Sequence, residues 1–293
     1  MSADQVGAVV VSYNAAAHLE VCLASLGAEG VVATVVVDNG STDGSREVAL
    51  AAGAAWLETG ANVGYGRAAN AGAGHPSLAG LPWLLVCNPD VEVMPGSVAT
   101  LVSTLQSDEA LGVVGPRISN TDGSLYPSAR VFPDLLEAAG HGLLGLVAPR
   151  NRFTRRYRLL DWDHSGLSRV DWVSGACFIA RRRAWDEVGG FDPRYFMYLE
   201  DVDLCWRLAR AGWSVAYQPA AEVVHVQGVS ADRHPYRMLV AHHRSMWIFA
   251  RRTASGRRRL LLPAVLAGLA VRLAATVARR AAAGRAGARP AAN

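Results

Sequence analysis

The sequence contains no lysine: all 29 of its basic residues are arginine. Chemistry that depends on a lysine amine, whether a Schiff base or a phosphate-loop lysine, is therefore excluded. Cysteine is scarce, with four residues at positions 22, 87, 177 and 205. None forms a C-x-x-C pair and each lies in an apolar or amphipathic run, so they read as buried free thiols in a reducing compartment. No basic stretch followed by an apolar core opens the chain, so no secretion signal is expected and the protein is expected to be cytoplasmic. No G-x-G-x-x-G follows the first strand-like run, and Ser174-Gly175 lacks the G-x-S-x-G pattern. A dinucleotide-dependent dehydrogenase and an α/β-hydrolase are both disfavoured. Acid is absent from residues 233–293, which hold 13 arginines, whereas residues 1–232 hold all 25 acids and 16 arginines. A chain of 293 residues that is 51% hydrophobic has ample material for a core, so wholesale disorder is excluded.

What is present alternates. Apolar strand-like runs at Val6–Ser12, Val31–Val37, Ala54–Glu58, Trp83–Cys87 and Leu111–Pro116 are interleaved with helical spacing at Ala15–Leu26, Ser45–Ala52 and from Gly96 to Leu105. Strands apolar throughout are buried on both faces, and strand–helix alternation implies a mostly parallel, Rossmann-like α/β sheet flanked by helices. Residues 117–169, with Pro127, Pro133, Pro149 and a basic run from Arg150 to Arg158, read as a long irregular insertion. Regularity returns in the strand-like Trp172–Ala180, then at Arg182–Val188, in a helix from Glu200 to Ala211 stopped by Gly212, and in short strands at Val215–Tyr217 and Glu222–Val226.

In such a sheet, ligands bind at the carboxyl ends of the strands. Polar residues collect there: Ser12-Tyr13-Asn14 after the first run, Asp38-Asn39-Gly40-Ser41-Thr42-Asp43-Gly44 after the second, and Asn88-Pro89-Asp90 after the fourth, with Asn62-Val63-Gly64-Tyr65-Gly66-Arg67 between. Each alone also reads as a turn or a helix cap. Downstream lie Trp172-Val-Ser-Gly-Ala-Cys-Phe-Ile-Ala, Gly189-Gly-Phe-Asp and Phe196-Met-Tyr-Leu-Glu-Asp-Val-Asp-Leu-Cys-Trp-Arg.

Taken together and in this order, these runs resemble the inverting glycosyltransferases of family 2, which have a GT-A fold. The resemblance spans about residues 6–230, and the subgroup most resembled is the bacterial rhamnosyltransferases, including those that act on polyprenyl-diphospho-GlcNAc. It implies a GT-A catalytic domain over 1–232, with residues 1–120 binding the nucleotide-sugar and 121–232 the acceptor. It also implies dTDP-L-rhamnose as donor, a polyprenyl-linked glycan as acceptor and Mg²⁺ or Mn²⁺ as cofactor. Ser12, Tyr13, Asn14, Asp38, Asn39, Asn62, Gly64, Arg67, Asn88 and Asp90 are then expected on the donor, with Asp38 accepting from the base, Tyr13 against it and Arg67 at the diphosphate. Asp90 is expected to hold the metal with His225 and Asn88. Asn88 stands where the family's Asp-x-Asp has its first aspartate; it can ligate through its carbonyl but brings no charge. Asp201 is the implied general base, Glu200 helps orient the acceptor, and Trp172 and Gly175 are expected beside it. Asp203 and Arg207, four apart on one helix face, pair structurally.

No residue distinguishes rhamnose from galactofuranose, glucose or GlcNAc, and a UDP-sugar enzyme would look much the same through its first half. A non-catalytic nucleotide-sugar or glycan binder on the same fold is the alternative that Asn88 favours. An RNA binder using the arginine tail lacks interleaved aromatics beyond Trp247 and Phe249, so no nucleic-acid partner is expected. Residues 233–280 are expected to form a basic helical tail: His234–Arg252 is a helical candidate. Leu260–Ala278 is apolar but interrupted by Pro263 and Arg272, so it is expected to lie on an anionic membrane surface, peripheral on the inner face, rather than span it. Residues 281–293 are expected to be disordered.

Overall fold

The computed structural model describes residues 5–132, 148, 151–226 and 235–287, the last five of these as backbone only. Its centre is a ten-stranded mixed sheet whose main path runs β3-β2-β1-β4-β11-β6-β12-β5. The first four positions in that path are β3 (Ala55–Glu58), β2 (Ala33–Asp38), β1 (Val6–Ser12) and β4 (Trp83–Cys87), and they are parallel to one another. Next comes β11 (Cys177–Arg181), antiparallel to both β4 and β6 (Leu111–Ser119). β6 is parallel to β12 (Ser214–His225), and β5 (Val91–Val93) pairs antiparallel to β12. The sheet is thus parallel from β3 to β4 and mixed beyond β4.

The apolar strands are buried on both faces, as their composition requires. Along β1, Val6, Ala8 and Val10 face one core with α1 (Ala16–Ala28), α2 (Ser45–Ala51) and α4 (Ser97–Ser107). Val9 and Val11 face the other, filled by α3 (Tyr65–Ala73), α6 (Arg182–Val188), α7 (Glu200–Arg210) and Phe249 of α8 (Pro235–Thr253).

Three elements differ from their sequence reading. The fifth strand does not stop at Pro116 but continues to Ser119. Proline cannot donate to a ladder, and Pro116 sits where one is broken: the β12 register shifts between Gln218 and Glu222, opposite Pro116 and Arg117. The same bulge makes the two short strands expected at 215–217 and 222–226 into one. The single strand expected over Trp172–Ala180 is split into β10 (Trp172–Val173) and β11 by a turn at 174–176.

The segment 117–169 is not wholly irregular. It contributes β7 (Leu125–Tyr126), β8 (Ala129–Arg130), α5 (Arg152–Tyr157) and β9 (Ser168–Val170); β8 pairs with β10, placing Arg130 opposite Trp172. Its central part, 133–147 with 149 and 150, lies outside the described residues.

α8 is no detached tail. Phe249 and Ser245 are buried, and Ser245 Oγ donates to the Met197 carbonyl at 2.9 Å. Asp203, fully buried, ties α7 to α8: it accepts from Arg207 Nε at 2.7 Å and Tyr195 Oη at 3.0 Å, and Arg252 Nε lies 3.2 Å away. The expected Asp203–Arg207 pair is present and Arg252 extends it. The last helix, α9 (Leu262–Gly287), is continuous. Pro263 does not interrupt it because it falls in the first turn, where its missing N–H has no intrahelical acceptor. The stretch Gly256–Ala282, which includes most of this helix, is long and apolar enough to cross a membrane by length and composition. The helix also runs into the stretch expected to be disordered, of which 288–293 lie outside the described residues.

Replacing Asp203 with Asn leaves two guanidinium groups around a neutral buried amide, and breaking a buried pair in this way costs about 3 kcal/mol. Urea denaturation is expected to show that loss for Asp203→Asn; a loss below about 1 kcal/mol, the range of exposed ion pairs, would contradict a structural role for the network.

Candidate active site

A cavity of about 340 Å³ opens at the carboxyl ends of β1 and β4 and is bounded by the loop before α7, the turn at 174–176 and α8. Its floor is set by an unusual chain path. Tyr198 and Leu199 both have positive φ, 68° and 62°, immediately before the α7 acids. A pair of non-glycine residues in the left-handed region is costly and persists only where the surroundings enforce it. Here they do. Tyr65 N–H donates to the Phe196 carbonyl at 3.0 Å, Ser245 holds the Met197 carbonyl, and the Tyr198 ring meets His242 edge-on at 5.2 Å. Gly64 has φ of 92°, and a Cβ there would lie 2.2 Å from the Phe196 carbonyl oxygen, so only glycine fits.

That path delivers Glu200 and Asp201. Glu200 is buried, and its Oε2 has no hydrogen-bond partner among the described residues. Burial, with the Asp201 charge beside it, pushes its carboxyl up to about 8. Asp201 is half-buried and lines the cavity. Its Oδ2 accepts from Gly175 N–H at 2.9 Å and its Oδ1 from Val202 N–H at 2.8 Å. Burial raises its carboxyl as well, opposed by those two N–H groups and by Arg130. A Cβ on Gly175 would lie 3.2 Å from Asp201 Cβ, so the small residue permits the approach. The Tyr65 hydroxyl donates to the Gly175 carbonyl at 2.7 Å, locking the 174–176 turn to α3.

Asn88, Asp90 and His225 meet on the other side of that turn, where Asn88 N–H donates to the Ala176 carbonyl at 2.9 Å. The pairing of His225 with Val91 brings His225 Nε2 to 3.1 Å from Asp90 Oδ1 and 3.2 Å from Asn88 Nδ2. His225 Nδ1 is buried without a partner among the described residues. The three side chains converge as a cation site requires, and half a turn of the Asn88 amide presents its oxygen to the same point. No group of three His, Cys, Asp or Glu side chains surrounds one point among the described residues. Asp90 and His225, with the Asn88 carbonyl, offer the hard oxygen and imidazole donors that a divalent cation takes.

Of the residues expected at the site, Tyr13, Asn39, Asn62, Gly64, Asn88, Asp90, Trp172, Gly175, Glu200, Asp201 and His225 line the cavity. Four do not. Arg67 is exposed and its Nε donates to the Pro193 carbonyl at 2.7 Å, fastening α3 to the loop before α7. Asp38 is buried and spends its carboxylate on Gly40 and Ser41 N–H, at 3.1 and 3.0 Å. Asn14 accepts from Thr42 N–H at 2.8 Å, and Ser12 is fully buried. Asp38 and Asn14 thus make turn contacts.

The cavity also recruits residues that pattern reading missed: Tyr126, Arg130 and Tyr157 from the segment before β9, and Arg237, Met238 and His242 from α8. Arg130 and the aromatics carry no periodic signal, because tertiary pairing alone brings them together.

A sequence model of the glycosyltransferase like family 2 matches residues 3–250. The chain is 43% identical over 267 residues, 86% of each chain, to an N-acetylglucosaminyl-diphospho-decaprenol L-rhamnosyltransferase of Mycobacterium tuberculosis. Among solved structures it is similar to a mannosyltransferase from Pyrobaculum calidifontis in complex with GDP-Man and Mn²⁺, with a TM-score of 0.57, 18% identity, and coverage of 97% of this chain and 79% of the other. It is also similar to glucosyl-3-phosphoglycerate synthase from Mycobacterium tuberculosis with Mn²⁺ and UDP, with a TM-score of 0.52, 18% identity, and coverage of 85% and 79%. The fold is that of the GT-A glycosyltransferases.

The raised Glu200 carboxyl sets a pH dependence. Native Glu200 keeps its proton up to about 8, while an unfolded glutamic acid loses it near 4.5. Between those values folding takes up a proton, so the contribution to stability falls as pH rises. Glu200→Gln, neutral throughout, is expected to gain on the wild type by at least about 1.4 kcal/mol from pH 5 to pH 8, the worth of one pKa unit. Urea midpoints of both proteins across that range check it; a constant difference would contradict a protonated Glu200.

Proposed function

The chain belongs to the glycosyltransferase like family 2, and from that premise we propose that it transfers L-rhamnose from dTDP-L-rhamnose, with inversion, to a polyprenyl-diphosphate-linked GlcNAc. The observation that carries this reading is a single cavity holding two different tools. An adjacent acid pair, buried Glu200 and half-buried Asp201, stands on one side of the 174–176 turn, and Asn88, Asp90 and His225 converge on the other. The 43% identity across 86% of the rhamnosyltransferase relative supports the choice of donor and acceptor.

Inversion needs attack on the anomeric carbon from the face opposite the leaving diphosphate. The acceptor hydroxyl forms the new C–O bond while the bond from the anomeric carbon to the diphosphate oxygen breaks. Asp201 takes the hydroxyl proton. Gly175 and Val202 N–H fix its carboxylate in place, and burial raises its basicity toward the working pH. Glu200 keeps its proton at neutral pH and can donate a hydrogen bond to the acceptor. Tyr13, Asn39 and Asn62 line the nucleotide end of the cavity. Asp90 and His225, with the Asn88 carbonyl, would hold Mg²⁺ or Mn²⁺. That ion supplies charge neutralisation for the departing diphosphate.

The acceptor is a membrane lipid, and the C-terminal helices suit it. Residues 233–293 carry 13 arginines and no acid. α9 is exposed and apolar, with Arg272, Arg279 and Arg280 along it. Basic residues beside an apolar helix favour an anionic lipid surface by about 1 kcal/mol each near the membrane. We place the protein peripherally on the inner membrane face, its cavity turned to the lipid-linked acceptor.

A transfer assay tests the reading. Full-length protein is given polyprenyl-diphospho-GlcNAc and a panel of dTDP- and UDP-sugars, with Mg²⁺, Mn²⁺ or EDTA. Transfer from dTDP-L-rhamnose that EDTA abolishes is expected. Transfer from a UDP-sugar alone would overturn the donor, and activity indifferent to EDTA would overturn the role given to Asp90 and His225.

A further inference from the structure

The strand and turn that separate the two halves of the cavity carry their contacts one after another along the chain. Trp172 pairs with Arg130 across β10 and β8; Gly175 N–H binds Asp201; the Ala176 carbonyl binds Asn88, which adjoins Asp90 and His225. The Asp201 contact therefore falls between the Arg130 contact and the Asn88–Asp90–His225 contact along this strand and turn. In an in-line displacement the leaving diphosphate and the attacking hydroxyl lie on opposite sides of the anomeric carbon. With the donor diphosphate at Asn88, Asp90 and His225, the acceptor enters from the side of Arg130.

Arg130 is held in an aromatic enclosure. Its guanidinium lies 4.9 Å from the Trp172 ring centroid, 5.6 Å from Tyr126 and 5.7 Å from Tyr157. Nε donates to the Pro127 carbonyl at 2.9 Å and Nη2 to the Tyr126 hydroxyl at 3.1 Å. Trp172 is pinned in turn by its Nε1, which donates to the Val131 carbonyl at 3.0 Å. Among the described residues no ion pair joins Arg130 to a carboxylate, unlike Arg207, Arg252 and Arg194, which all pair with aspartates. A cation stacked on three rings and lining a cavity, in no direct ion pair among the described residues and reaching Asp201 only through space, is arranged to receive an anion from outside.

The acceptor carries one anion at a fixed place: the diphosphate on the reducing carbon of its sugar, one ring away from the hydroxyl that Asp201 deprotonates. We infer that Arg130 binds the diphosphate of the lipid-linked acceptor and so selects a diphospholipid over a neutral glycoside. The planar fork of a guanidinium fits phosphate oxygens in pairs, and the rings keep it oriented and partly dry. The inference rests on the proposed transfer to a polyprenyl-diphosphate sugar.

The test compares two acceptors, a short-chain prenyl-diphospho-GlcNAc and an alkyl GlcNAc glycoside of similar length, with wild type, Arg130→Gln and Arg130→Lys. Thermal midpoints and dTDP affinity verify that the variants are folded. For Arg130→Gln, kcat/KM on the diphosphate acceptor is expected to fall about thirtyfold, the worth of a hydrogen bond to a charged group. On the neutral glycoside, where only the change of charge beside Asp201 is felt, the loss is expected to be about tenfold smaller than on the diphosphate acceptor, and Arg130→Lys is expected to recover part of the loss on the diphosphate acceptor. Equal losses on both acceptors would overturn the inference in favour of a role in holding Asp201 or the fold. A matching loss of dTDP affinity would assign Arg130 to the donor and overturn it too. On wild type alone, a short-chain prenyl diphosphate is expected to compete with the acceptor where the corresponding prenyl alcohol does not; equal inhibition by the two would contradict the inference even if neither variant folded. Failure of the wild type to use either acceptor with any donor would instead overturn the function itself.

Discussion

Two adjacent carboxylates brought into a poorly solvated pocket are the constraint around which this molecule is organised. A buried acid is tolerated only if it keeps its proton or is met by donors. Glu200 takes the first course and Asp201 the second, through Gly175 and Val202 N–H. The neighbouring structure follows. Gly175 must lack a side chain for Asp201 to approach, Gly64 must lack one for the loop before α7 to pass, and Tyr198 and Leu199 must be forced into the left-handed region. The forcing comes from both sides, from α3 through Tyr65 and from α8 through Ser245 and the Asp203–Arg252 contact.

The arrangement separates two electrostatic tasks. The Asn88, Asp90 and His225 side offers hard oxygen and imidazole ligands suited to a cation with a diphosphate. In the proposed mechanism the Asp201 side supplies the base, and burial raises its proton affinity. The turn at 174–176 spaces the two sides, and its rigidity derives from the Tyr65 hydroxyl on the Gly175 carbonyl and Asn88 N–H on the Ala176 carbonyl.

Much of this was legible in the sequence, and the rest was hidden for physical reasons. Strands apolar at every position announced burial on both faces, which the alternation of Ala8 and Val10 against Val9 and Val11 between the two cores bears out. Glu200 and Asp201 at a helix start, and Asp203 four residues from Arg207, were readable because helix geometry is local. Pro116 misled because a bulge in its partner strand, invisible in its own neighbourhood, accommodates it. The bond of Arg67 was not readable, because helix phase says which side a residue faces but not that the carbonyl of Pro193, 126 residues away, meets it. Arg130 and α8 were missed as parts of the site for a similar reason: one depends on the β8–β10 pairing and the other on packing against the loop before α7. Pro263 failed to stop α9 because a proline in a first turn breaks no bond.

The account depends most on Asp201 acting as the base rather than as a cap for α7. Asp201→Asn preserves the shape and an acceptor for Gly175 N–H while removing the proton affinity. Its single-turnover rate and its dTDP affinity, measured together on the full-length protein, separate the two roles. The account predicts a rate reduced by about three orders of magnitude, within the range of a lost general base, with dTDP affinity within twofold of wild type. A rate within tenfold of wild type would contradict it.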